Sequence, residues 1–123
     1  MAKAWMIRQA AIVSLVLVGI AQAQAQNFSE DGDFSMWCIA AMDVMEEKGL
    51  LPDVITDAVL DSAYERHEKI VDADVAAQGM SNDTLAMMRR SYLDEAEMQI
   101  PDWALSRDAA ALRFDLDRCF IAD

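Results

Sequence analysis

From Phe34 to the carboxyl terminus the apolar positions recur every three or four residues and nowhere alternate with a strand period, so the pattern predicts an all-α domain. Trp37, Cys38, Ala41, Met42 and Met45 stack on one face of a first helix, predicted over residues 34–48 with Asp33 as its N-cap. Gly49 ends that helix, because glycine takes the left-handed cap conformation without steric cost. A second helix is expected from Pro52, whose fixed φ and missing N–H suit a first turn. It carries Ile55, Val59, Ala63, Ile70 and Val75 towards Gly79, with a candidate break near Ala73 where the stripe drifts. Ser81-Asn82-Asp83 caps a third helix with Leu85, Met88, Tyr92 and Ala96 on its inner side. Pro101 is expected to stop it near Met98 or Gln99, since the residue before a proline is pushed out of the helical region. A fourth helix, starting between Asp102 and Ser106, carries Leu105, Ala109, Leu112, Leu116 and Cys119, while Phe114 and Ile121 lie off this stripe. Short connections between such elements predict a small bundle of about four helices with mostly antiparallel neighbours.

Upstream of these helices the pattern changes. Lys3 and Arg8 precede an unbroken apolar run from Ala10 to Ala21, followed by Ala21-Gln22-Ala23-Gln24-Ala25. A cationic start, a short apolar middle and small residues at the end form the layout of a secretory signal peptide. A membrane anchor needs about 20 apolar residues to span the hydrocarbon core, and this run is shorter and ends in glutamines. The expected organisation is therefore a cleaved signal peptide over 1–25, a short polar segment over 26–33 and one helical domain over 34–123. Cleavage after Ala23 also satisfies the small-residue rule. The mature chain is expected in the periplasm or outside the cell, without membrane insertion.

Cleavage leaves 98 residues, enough for one domain and too few for two. A core of that size is modest, so a covalent staple matters. Cys38 and Cys119 both fall on inward stripes, and in an oxidising compartment they are expected to pair, tying the terminal helices together. Closing a loop of about 80 residues is worth roughly 4.5 kcal/mol in the chain-entropy model. Two cysteines so far apart lack the closely spaced Cys-x-x-Cys arrangement of redox catalysts.

Loss of Lys3 and Arg8 leaves 22 acidic residues against 8 basic ones, a formal charge of −14. Such a surface repels nucleic acid and anionic lipid, both of which reward clustered Lys and Arg. Asp53, Asp57, Asp61 and Glu65 repeat every four residues, which aligns like charges along the second helix. Each like-charge pair costs a few tenths of a kcal/mol. The row is a solvated face, eased by a Glu65–Lys69 pair and by Asp53 near the helix start, a docking strip for a basic partner, or a pH-sensitive patch that relaxes when the carboxylates protonate.

Catalytic motifs fail on inspection. His67-Glu68 begins the zinc pattern His-Glu-x-x-His, but the second histidine position holds Val71. The di-iron pattern Glu-x-x-His fails because Tyr64 stands three residues before His67. Glu30-Asp31-Gly32-Asp33 suggests a calcium loop, yet the closing position counted from Asp31 is Met42. With one histidine and no phosphate loop or nucleophile elbow, the chain carries no catalytic constellation and calls for no cofactor. His67 is expected at the surface or its boundary.

Two function classes remain. The first is an exported helical module that binds a partner protein, as an inhibitor, immunity protein, chaperone or accessory subunit would. The alternative is a soft-metal or small-ligand carrier, since sulfur ligands select Cu(I) and Met42, Met45, the Met87-Met88 pair and His67 supply soft donors. Methionines at those spacings also serve as ordinary gap-filling core residues.

Overall fold

A computed structural model describes residues 28–122. Within them the chain forms three α-helices, α1 (Glu30–Lys48), α2 (Asp57–Gln78) and α3 (Asn82–Ser106), followed by two short 3₁₀ turns, Ala109–Ala111 and Leu116–Cys119. The signal peptide expected over 1–25 lies outside the described residues.

The first helix starts four residues earlier than the apolar pattern indicates. Ser29, not Asp33, is the N-cap, its side chain accepting the Gly32 N–H at 3.1 Å. Glu30, Asp31 and Asp33 then sit in the first turn, where carboxylates favour the positive end of the helix dipole. Residues 28–33 of the segment read as a polar lead-in thus pack with the domain, and Phe28 is already buried. Gly49 adopts φ 67° and, with Leu50 bonding back to Met45, closes α1 as a Schellman cap.

Trp37, Cys38, Ala41, Met42 and Met45 are buried as their spacing requires, but so are Met36, Ile39, Ala40 and Val44. From Ser35 to Met45 only Asp43 reaches solvent. A helix apolar on nearly all sides must be covered on nearly all sides. Here α2, α3 and the carboxyl-terminal segment all pack on α1, which is the core of the molecule.

Pro52 opens a turn rather than a helix, with Ile55 N–H bonding to the Pro52 carbonyl at 2.9 Å. Thr56 caps α2 instead, accepting from Val59, and α2 runs without a break past Ala73 to the left-handed Gly79. Its inner face is Leu60, Ala63, His67, Val71 and Asp74, one step round from the apolar positions read in sequence. Two members of that face are polar, so a search for apolar periodicity passes over them. Contacts from Tyr64 to Asp43 and from Ser29 to Asp74 run in opposite senses along the two helices, making α1 and α2 antiparallel.

Ser81 caps α3, as expected, and Tyr92, Ala96 and Ile100 are its buried residues. Pro101 does not end the helix, which continues to Ser106 and closes on Arg107 at φ 56°. An internal proline removes one backbone bond at a cost of roughly 3 kcal/mol. Burial of Ile100 and the bond from Trp37 Nε1 to Gln99 hold the helix against α1 immediately before it.

The expected fourth helix is absent among the described residues. Asp108 and Asp115 each accept the N–H two residues on, at 3.0 and 3.1 Å. These local turns compete with helical bonding, so the apolar spacing there produces two 3₁₀ turns. Leu105, expected inward, is 89 % exposed, whereas the off-stripe Phe114 packs edge-on against Trp37 and Phe34. Cys119 still reaches Cys38, with 5.4 Å between Cα atoms and 81 residues of separation, so the disulfide joins α1 to the second 3₁₀ turn rather than to a terminal helix.

Candidate partner-binding surface

Asp53, Asp57, Asp61 and Glu65 are all exposed. Three of them lie on α2, while Asp53 stands in the turn before it and does not join the helical row. Glu65 pairs with Lys69 at 3.3 Å, and among the described residues no cation pairs with Asp53, Asp57 or Asp61.

The acidic end extends onto α1. Tyr64, one turn past Asp61 on α2, donates its hydroxyl to Asp43 at 2.6 Å with Glu46 at 3.2 Å. Burial first, then the bond to Asp43 and the two negative charges, raise the Tyr64 hydroxyl well above the ordinary tyrosine range.

Seven of the eight cations beyond residue 25 are engaged by an acid, an aromatic ring or a backbone carbonyl, most of them at the surface. Lys69, Arg89, Arg90 and Arg113 form ion pairs with Glu65, Glu68, Asp94, and Asp33 with Glu95. Arg107 covers Trp103 and Arg118 covers Phe34, each about 5 Å from the ring centre. Arg66 donates to the Cys119 carbonyl at 3.0 Å, and Lys48 sits in the last turn of α1, where the dipole favours it. Ion pairing removes acids and cations together, so the acidic excess of the composition persists at the surface.

A second polar region lies at the amino-terminal end of α1. Phe28, Asp33, Tyr92, Glu95 and Arg113 line a cleft of about 410 Å³. Tyr92 donates to Asp33, whose other oxygen takes Arg113 at 2.7 Å, and Arg113 also reaches Glu95 at 3.5 Å. Burial and the Asp33 bond push the Tyr92 hydroxyl up, with Arg113 opposing. Burial alone would lower Arg113, but the charges of Asp33 and Glu95 outweigh it and hold the guanidinium above its usual value. Arg113 engages both Asp33 and Glu95 here, while Glu30, on the rim of the same cleft, has no ionic partner among the described residues.

His67 is only 3 % exposed, contrary to its expected surface position. Its Nε2 faces the Cys119 carbonyl at 2.7 Å, so Nε2 carries a proton and donates, while Nδ1 meets the Ser35 hydroxyl at 2.9 Å. Ser35 is fully buried, so this serine–histidine contact has no open approach for a substrate. It fastens α1, α2 and the carboxyl-terminal turn at one point. Met42 and Met45 are enclosed in the core, and Cys38 has no thiolate to offer a metal. Among the described residues no three His, Cys, Asp or Glu side chains group in a metal-holding arrangement.

Sequence reasoning missed the Ser35–His67–Cys119 contact, the Asp33–Tyr92–Arg113 group and the buried Asp74, because each joins residues far apart in the chain. Only the polar breaks in the α2 stripe, at His67 and Asp74, signal them. Among the described residues no helix is long and apolar enough to cross a membrane. The chain matches no protein-family model, no curated protein and no solved structure.

Proposed function

We propose that this protein is an exported, disulfide-stapled helical module, periplasmic or secreted, that works by binding a partner protein with a basic surface and performs no catalysis. The observation that carries the reading is the division of charge. Seven of the eight cations beyond residue 25 are engaged by an acid, a ring or a backbone carbonyl, while Asp53, Asp57 and Asp61 face solvent without ionic partners among the described residues. A field of one sign speeds encounter with an oppositely charged surface and rejects like-charged ones. The enclosure of Ser35 and His67 supports a non-catalytic role, and the disulfide is consistent with an oxidising compartment.

The test is site-specific photocrosslinking in the cell that makes the protein, with the crosslinker placed beside the acidic row at the exposed Ala58. A discrete protein adduct is expected, weakened by the double change Asp57→Lys and Asp61→Lys. No discrete adduct from exported, disulfide-bonded protein would reject partner binding, and an adduct indifferent to charge reversal would reject the α2 row as its site.

A further inference from the structure

The outward face of α3 carries a feature that the charge pattern alone does not reveal. Met87, Met98 and Leu105 are 74 %, 78 % and 89 % exposed. They are separated by eleven and seven residues, close to three and two helical turns, so they fall on one line about 27 Å long. That line is opposite the buried face formed by Tyr92, Ala96 and Ile100. The three side chains stand about 16 and 10 Å apart along the helix, with the Arg90–Asp94 pair between the first two, so they are spaced anchor points rather than one continuous patch.

The charges beside the row say what would cover it. Asp83, Glu97 and Asp102 are exposed and flank the apolar line, and Asp94 lies almost on it. The cation on this face is Arg90, which is paired with Asp94 at 3.2 Å. A second copy of this chain would bring the same excess of acids against it, and an anionic membrane surface would be repelled likewise. An occupant with apolar residues along one side and Lys or Arg on its flanks satisfies both parts of the surface.

The geometry points to α3 as the docking face for a basic amphipathic helix of a partner protein, with Met87, Met98 and Leu105 as anchors and Asp83, Glu97 and Asp102 as the charged rim. This rests on the partner-binding reading and adds to the α2 row a second face, on α3, with the chemistry of the segment that would cover it. The apolar row gives the contact its register, because only a helix with anchors at matching turns can cover all three side chains. The acidic rim sets the rate and the salt dependence of encounter.

The probe is a synthetic helix of about 20 residues with Leu along one face and Lys on its flanks, set against a scrambled peptide of the same composition that has no apolar face. Binding to the exported full-length protein is measured by calorimetry at low and moderate salt. The amphipathic peptide is expected to bind at least about tenfold more tightly than the scrambled one. The triple change Met87→Ser, Met98→Ser and Leu105→Ser should remove that advantage, while Asp57→Lys with Asp61→Lys should largely preserve it. All three anchors are exposed, so the variant keeps the core, and an unchanged circular dichroism melt verifies this. Equal binding of the two peptides, or undiminished binding by the triple variant, would overturn the assignment, as would failure of both peptides to bind. The crosslinked adduct beside Ala58 is read separately. If it persists while the peptide test fails, partner binding stands and the α3 face falls; if it too is missing, both fall.

Discussion

At the amino-terminal end of α1, Asp33, Asp74 and Glu95 are each engaged, with Tyr92 and Arg113, with the Ser29 N–H at 2.6 Å, and with Arg113 respectively. At the start of α2, Asp53, Asp57 and Asp61 are exposed and without ionic partners among the described residues. The residue types match, yet the first group fastens secondary elements together and the second leaves its charge to the solvent. What separates them is the carboxyl-terminal segment and the end of α2, which bring Arg113 and Asp74 to the tip of α1. A carboxylate becomes structural where distant chain meets it and remains available where none does.

The sharpest break of the first region is the staple that brings the carboxyl-terminal segment to α1. Replacing Cys38 and Cys119 together by alanine should lower unfolding free energy by about 2–5 kcal/mol, measured by urea titration. It should also loosen Arg113 from Asp33, since both contacts depend on the same segment.

Next in size is the contact at Asp74, a carboxylate only 8 % exposed that is pressed against Gly32. A Cβ at Gly32 would run into that carboxylate, so Gly32→Ala should cost about 1–3 kcal/mol by overpacking. Asp74→Ala should cost a similar amount, about 1–3 kcal/mol, by leaving the Ser29 N–H without its acceptor. If the two changes combined cost no more than the larger one alone, they disrupt the same contact.

The tyrosines sharpen the comparison through pH. Tyr64 and Tyr92 both have hydroxyls raised above the ordinary value of 10.0, chiefly by burial and by bonds to carboxylates. A raised value means that the folded state favours the protonated hydroxyl. Its contribution is fully present below pH 10.0 and is lost as pH climbs from there towards the folded value. Denaturation midpoints should therefore hold through neutral pH and fall above about pH 10, more gently in Tyr92→Phe.

The smallest effect is expected in the second region. Asp61→Asn relieves like-charge pairs with Asp57 and Glu65, each four residues away, and should stabilise the protein by only a few tenths of a kcal/mol, with the gain shrinking in added salt. A loss of stability there would mean that the row is structural, and the contrast with the α1 end would collapse.

Local chemistry was sufficient for several features. The all-α class, the left-handed glycine cap at Gly49, the end of α2 at Gly79, the Ser81 cap, the inner face of α3 up to Ala96, the Glu65–Lys69 pair and the joining of Cys38 to Cys119 follow from spacing and residue type. Each depends on interactions within a few turns or, for the disulfide, on the only two thiols present. The exposure of Asp57, Asp61 and Glu65 was legible in the same way, because a row of like charges cannot be buried without partners.

The tertiary structure decided the rest. It carried α3 through Pro101 by packing Ile100 and binding Gln99, and it set Asp turns against helix formation after Arg107. Burial of His67 and Asp74, polar residues that interrupt an apolar stripe, required Ser35, the Cys119 carbonyl and the Ser29 N–H to arrive from elsewhere in the chain. Apolar periodicity records which side chains avoid water; it is blind to a polar group whose burial is made affordable by a hydrogen-bond partner dozens of residues away, and only the folded chain shows that partner.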